Sequence, residues 1–253
     1  MNKSMFHNTR SYVRFILRRE RLSIIIWIAA LFFITVGQAQ SFVDLYPTQE
    51  DRQVIAESMD NPAMVAMMGP TYGKDNYTLG ALMSQQSLLF TAVAVAIMSI
   101  LFINRNTRGD EEKGRIEIVR SRPTGQLFNL TAAMLVIIVV NIVIALLMGV
   151  GLSSLGIESM DATGSMMYGA VLAATGIIFA SITALFAQLF TSSRSTLGVS
   201  FAVLGIAYFI RAIGDIGDNG VSMISPLGWV MRSEVYVSNH WWPILLTIAV
   251  SVI

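Results

Sequence analysis

Cysteine is missing from the chain, which excludes disulfides and thiolate metal sites. Histidine is nearly missing too: His7 and His240 are the two present, and they stand too far apart in sequence to suggest a ligand pair. Metal chemistry therefore has almost nothing to work with. Charge is equally scarce, at 13% of 253 residues, where soluble domains carry about 25%. What fills the chain instead is apolar: hydrophobic residues reach 54% and the mean hydropathy is positive. This is the composition of a membrane protein. The net charge of +1 says little; the distribution of the charges says more.

A helix that crosses a bilayer needs about 20 mostly apolar residues. Five segments approach or exceed that length, at 22–38, 79–103, 127–152, 165–190 and 196–213. A sixth begins within 241–253, WWPILLTIAVSVI, where Trp241 and Trp242 suit a membrane interface. From Ile244 onward the remaining residues rise about 15 Å, half of the hydrocarbon core. The sequence is thus expected to be a fragment of a longer protein. The expected fold class is all-α, a polytopic transmembrane helix bundle with five complete spans and a truncated sixth. Basic residues precede the first apolar run, but no small-residue cleavage site follows it, so it reads as a retained span.

Lysine and arginine set the orientation, because cytoplasmic loops hold the excess. A cytoplasmic N-terminus places Lys3, Arg10, Arg14, Arg18, Arg19, Arg21, Arg105, Arg108, Lys113, Arg115, Arg120, Arg122 and Arg194 inside. Arg52, Lys74, Arg211 and Arg232 fall outside, and the acids divide the opposite way.

Residues 1–21 carry Lys3, Arg10, Arg14, Arg18 and Arg21 within an arc of about 80° on a helical wheel, with apolar residues opposite. They are expected to form an interfacial helix along the inner surface before turning into the first span; the alternative is a basic cluster that only sets topology. Arg18 and Arg19 could meet acids of a cytoplasmic partner or lipid headgroups. The outer segment, 39–78, holds two short helix signals, a capping arrangement of Thr48 with Asp51 and a cap at Asn61 before Pro62. Met59, Met64, Met67 and Met68 make its surface adaptable, and packing on the outer ends of the spans is preferred to a lid.

Within the spans, Gly176, Ala180 and Ala184, extended by Gln188, form a small-residue stripe that permits close helix packing. Asn141 is the strongly polar side chain near a span centre. All five are candidates for helix packing or for lining a pathway. The complete spans hold no ionisable residue near their centres, which disfavours a proton-relay carrier. No Ser, His and Asp set is placed for intramembrane hydrolysis, so no catalytic, metal or cofactor residue is assigned.

Residues 104–126, NRNTRGDEEKGRIEIVRSRPTGQ, pack ten charges into twenty-three residues between two apolar runs. Acids at its start and bases toward its end suit a short helix that stops at Pro123. A plain connection would be far shorter, so docking to a cytoplasmic protein is favoured over a solvated loop. A nucleotide site is absent: GPTYGKD, 69–75, has the wrong glycine spacing and Asp75 where a phosphate loop needs Ser or Thr.

Three stretches, RRERLSIIIW, NPAMVAMMGPTYGKDNYTLGAL and NTRGDEEKGRIEIVRSRPTGQ, occur in this order across nearly the whole chain. They resemble the type-2 ABC exporter permeases, and within them the exporters of polyketide antibiotics, the tetronasin-type branch. The resemblance implies the N-terminal six-helix half of a permease in the cell membrane. It implies a coupling helix in the first cytoplasmic loop, contacting a separate ATP-binding subunit in two copies that holds ATP and magnesium. A second permease half in the same chain is expected, and no nucleic acid. By matching position, Glu111, Glu112, Gly114, Arg115, Glu117, Arg122 and Pro123 become coupling candidates. The carboxylates and Arg115 would pair with charges on the ATPase, Gly114 would permit close approach, and Pro123 would end the helix. The function implied is export of hydrophobic or amphiphilic compounds, antibiotics among them. A non-transporting scaffold or sensor that recruits a cytoplasmic partner is the alternative.

Overall fold

The computed structural model describes residues 9–114, 128–217 and 219–252. Among these residues every regular element is helical. Five helices are long and apolar enough to cross a membrane, and the protein is a helical transmembrane bundle.

The first helix, α1 (Thr9–Leu45), runs for 37 residues, about 55 Å at the usual rise and well beyond the roughly 30 Å hydrocarbon core. Here the structure differs from the expected turn between an interfacial helix and a first span: from Thr9 onward the two run as one uninterrupted helix, while residues 1–8 lie outside the described residues. Nothing between Thr9 and Gly37 breaks it. Tyr12, Ile16 and Glu20, spaced one turn apart, are buried on one face and hold its N-terminal part against the bundle. The Tyr12 ring meets Phe128 edge-on at 5.1 Å.

Two short helices follow at the other end, α2 (Gln49–Met59) and α3 (Pro62–Met68). The caps anticipated from sequence are formed. The Thr48 hydroxyl accepts the Asp51 N–H at 3.1 Å while the Asp51 carboxylate accepts the Thr48 N–H at 3.2 Å. Asn61 Oδ1 accepts from both Ala63 and Met64 at 3.1 Å. The Thr48 hydroxyl also donates to the Asp51 carboxylate at 2.6 Å, and this bond, with the lesser one from the Thr48 N–H, holds the Asp51 carboxyl below its ordinary pKa.

The second span is composite: α4 (Leu79–Met83), a π-helical turn (Ser84–Leu88) and α5 (Leu89–Asn106) run end to end. After α6 (Arg108–Glu112) come α7 (Phe128–Ser153), α8 (Ala162–Leu189) and α9 (Ser193–Gly217). The short α10 (Pro226–Met231) and α11 (Trp242–Val252) complete the described chain.

Central position belongs to α8, whose most apolar window is 67% buried, whereas that of α1 is 17% buried. Missing side chains let α7 and α8 pack at backbone contact. A Cβ added at Gly169 would lie 2.1 Å from the Ala145 carbonyl oxygen, and one at Gly149 would lie 2.5 Å from Met166 Sδ. Small residues at such crossings are the usual means of helix association where lipid removes the hydrophobic drive.

Candidate functional site

At the basic end of the bundle, α5 stops at Asn106 because Thr107 leaves helical geometry (φ −122°, ψ −93°). The chain re-enters a single helical turn, α6, and points Asp110 inward, where it is 1% exposed. Arg19 of α1 meets it with both terminal nitrogens, Nη1 to Oδ1 at 3.0 Å and Nη2 to Oδ2 at 2.7 Å. The Tyr12 hydroxyl donates to Oδ2 at 3.4 Å, and Arg19 also donates to Asn106 Oδ1. Beside this pair, Glu20 is 4% exposed. It is bonded by Arg105 and lies 3.3 Å from Arg19 Nε, while Arg105 donates to the Ser23 hydroxyl at 3.1 Å. Two buried carboxylates are tolerated here because each has a guanidinium partner; unpaired, their desolvation would be prohibitive.

The opposite side of α6 holds α8 and α9. Arg108 donates to the Ala187 carbonyl at 2.5 Å near the end of α8, and bonds Glu111 within α6. Glu112 Oε1 accepts the Ser193 N–H at 2.6 Å, and Asn104 Nδ2 donates to the Ser193 hydroxyl at 2.7 Å. A carboxylate at the first residue of α9 satisfies an otherwise orphan donor and complements the helix dipole. One turn of helix therefore ties α1, α5, α8 and α9 together.

The sequence candidates divide. Glu111, Glu112 and Gly114 sit in this cluster; Arg115, Glu117, Arg122 and Pro123 lie outside the described residues. Glu111 and Glu112 have partners within the chain, so their carboxylates act inside the clamp before any external charge is met. Gly114 has φ +67° with no atom within 4 Å of an added Cβ. Its need for glycine within this chain is therefore a left-handed backbone, not crowding.

Sequence reasoning missed Asp110, Asn106, Arg19 and Glu20 as a set. A signal was there: on the helical wheel Arg19 falls outside the basic arc and next to the face of Tyr12, Ile16 and Glu20. Arg10, Arg14, Arg18 and Arg21 are exposed, and among the described residues they form no ion pair.

Within the membrane, Asn141 is wholly buried and donates to the Ile137 carbonyl at 2.9 Å and the Ser99 hydroxyl at 3.3 Å. Its Oδ1 faces Gly176 so closely that a Cβ there would stand 1.9 Å away. Ala180 and Ala184 are also buried, and Gln188 is exposed.

At the far end, Arg211 of α9 is completely buried. It donates to the carbonyls of Val65 at 3.3 Å and Ala66 at 2.7 Å, pairs with Asp215 at 3.3 Å and lies over the Tyr208 ring at 4.6 Å. The Tyr208 hydroxyl donates to the Met67 carbonyl at 2.8 Å. These carbonyls close α3, so a cation and two donors are well placed there. Nearby, the buried Tyr77 hydroxyl bonds Gln85 of the π-helical turn, and Gln85 donates to Thr71 at 2.6 Å. Burial pushes the Tyr77 phenol above its ordinary pKa.

Five membrane-crossing helices among the described residues, with glycine contacts between α7 and α8 and a charged turn clamped at one end, define a multi-pass helical membrane protein. Residues 10–253 match the family described as "Multidrug efflux system permease Rv1217c, C-terminal domain", and the chain belongs to that family. A relative, the "Multidrug efflux system permease protein Rv1217c" of Mycobacterium tuberculosis (strain ATCC 25618 / H37Rv), is 37% identical over 253 residues. The match covers 99% of this chain and 45% of that protein, so the chain spans about half the length of the curated relative it matches. The family description names a C-terminal domain, where the resemblance in sequence suggests an N-terminal half. The protein is a multi-pass protein of the cell membrane.

Proposed function

We propose that this chain is part of the permease of an ATP-driven ABC exporter that moves hydrophobic or amphiphilic compounds, antibiotics among them, out of the cell. A separate ATP-binding subunit, in two copies, would hold ATP and magnesium and supply the energy. A second permease half, in the same polypeptide, would complete the pathway. The tetronasin-type branch and a six-helix half belong to this reading, and the order of the two halves can be read from the full-length gene.

The observation that carries it is α6. A connection needs no such clamp, but a handle does: a force on residues 108–114 is delivered through Asp110 to α1, through Arg108 to α8 and through Glu112 to α9. In this reading the internally bonded Glu111 and Glu112 transmit the motion. Arg115, Glu117 and Arg122, with Lys113, are the groups that meet the ATPase, while Gly114 and Pro123 shape the segment.

The test uses the full-length protein with its ATPase in proteoliposomes. Glu112→Arg with Arg115→Glu is expected to leave ATP hydrolysis running while export stops. Glu112→Gln, which keeps an acceptor for the Ser193 N–H, is expected to retain most export. Full export by the double variant would reject the coupling role.

A further inference from the structure

A cleft of about 320 Å³ opens at the basic end between α1, α5, α7 and α9. That is large enough for a drug-sized molecule, since ligand pockets start near 300 Å³. Its floor is apolar, with Trp27, Met98, Ile137 and Leu197 in the lining. Its mouth is polar, and the wall there is the charged turn itself: Gly109, Glu112 and Lys113 line it together with Arg105.

The charges at the mouth are unequally engaged. Arg105 is bonded to Glu20, and the Glu112 carboxylate is taken by the N-terminus of α9. Lys113 is exposed and has no ion pair among the described residues. The uncommitted charge is therefore positive. Asn104, also in the lining, is 4% exposed and its Oδ1 has no hydrogen-bond partner, an expensive state for a buried amide. Among the described residues, an apolar cavity with an unpaired cation at its mouth suits a particular chemistry.

We infer that this cleft is a loading site for an amphiphile with an acidic head, its apolar body against Trp27 and Leu197 and its acid beside Lys113. The inference rests on the exporter reading and adds a substrate class and an address. Because α6 forms the wall, any movement of that turn changes the cleft, which places loading and drive at one site.

Single cysteines test this in full-length protein with any cysteine outside these 253 residues replaced by serine, since residues 1–253 have none. Full-length protein in nanodiscs would carry Leu197→Cys in the cleft or Leu185→Cys on the exposed face of α8. Modification by N-ethylmaleimide is followed with 8-anilinonaphthalene-1-sulfonate as acidic amphiphile or rhodamine 6G as basic one. With the sulfonate at ten times its Kd, labelling at 197 is expected to slow about tenfold, with little change at 185 and little effect of rhodamine. Lys113→Glu is expected to weaken the protection about two- to fivefold. Equal protection at both cysteines, equal protection by both dyes, or none would overturn the inference. No ATP is needed, so protection without ATP-driven export would sink the exporter reading alone, and export without protection would sink the loading site alone.

Discussion

Asp110 and Arg19 stand 91 residues apart in sequence, yet their two-point pairing joins α1 to the charged turn. Replacing Asp110 with Asn removes one of the two carboxylates beside Arg19 and leaves this partly buried guanidinium short of acceptors. We expect a loss of about 1–3 kcal/mol, discounted because Arg19 retains some solvent access, read as a lower thermal unfolding midpoint in detergent. Arg19→Lys should lie between wild type and Asp110→Asn, because an ammonium keeps the charge but cannot make the two-pronged contact. Equal stability of all three proteins would remove this pair from the account. The wheel position of Arg19 could have been read from sequence; its partner could not, because nothing local in Asp110 distinguishes an inward carboxylate from Glu111 and Glu112 beside it. The conformation at Asn106 and Thr107, which turns that one acid inward, decides the matter.

Among the elements, the α7–α8 pair is the most demanding of its sequence. Gly169→Ala would push a methyl group into the Ala145 carbonyl, which is backbone and cannot swing away. We expect about 1–3 kcal/mol of destabilisation, whereas Gly198→Ala, with open space around it, should be nearly neutral or slightly stabilising by helix propensity. Comparison of the two unfolding midpoints checks this. The small-residue stripe at Gly176, Ala180 and Ala184 could be read as a candidate for packing or for lining a pathway because its four-residue spacing is a helical repeat, and all three residues are buried. Gly149 and Gly169 were not singled out, because a lone glycine in a span declares its partner only when a second helix is placed against it. α9 presents another case. It is held by Glu112 at one end and latched to α3 by Arg211 and Tyr208 at the other. Arg211→Met with Asp215→Asn, which removes the buried pair together, should speed amide exchange in residues 62–68 by about tenfold through the lost carbonyl bonds. Exchange in α2 serves as the internal reference, and unchanged exchange in α3 would show that the latch is idle.

At the scale of the bundle, the five spans of the described residues and the helical class followed from length and hydropathy, since a bilayer leaves helices few other options. Continuity of α1 did not, because a basic amphipathic stretch reads alike whether it lies on a membrane or docks on its own bundle. The tie between α6 and four helices also escaped the sequence, being made of single side chains from distant segments. That tie makes the central claim a claim about energy: the charged turn is where an external ATPase acts. The direct measurement is uptake of a fluorescent amphiphile into inverted proteoliposomes holding the full-length protein and its ATPase. The account predicts uptake that requires ATP, persists when ion gradients are collapsed and stops in Glu112→Arg with Arg115→Glu while hydrolysis continues. Uptake sustained by an ion gradient after ATP is removed would contradict it.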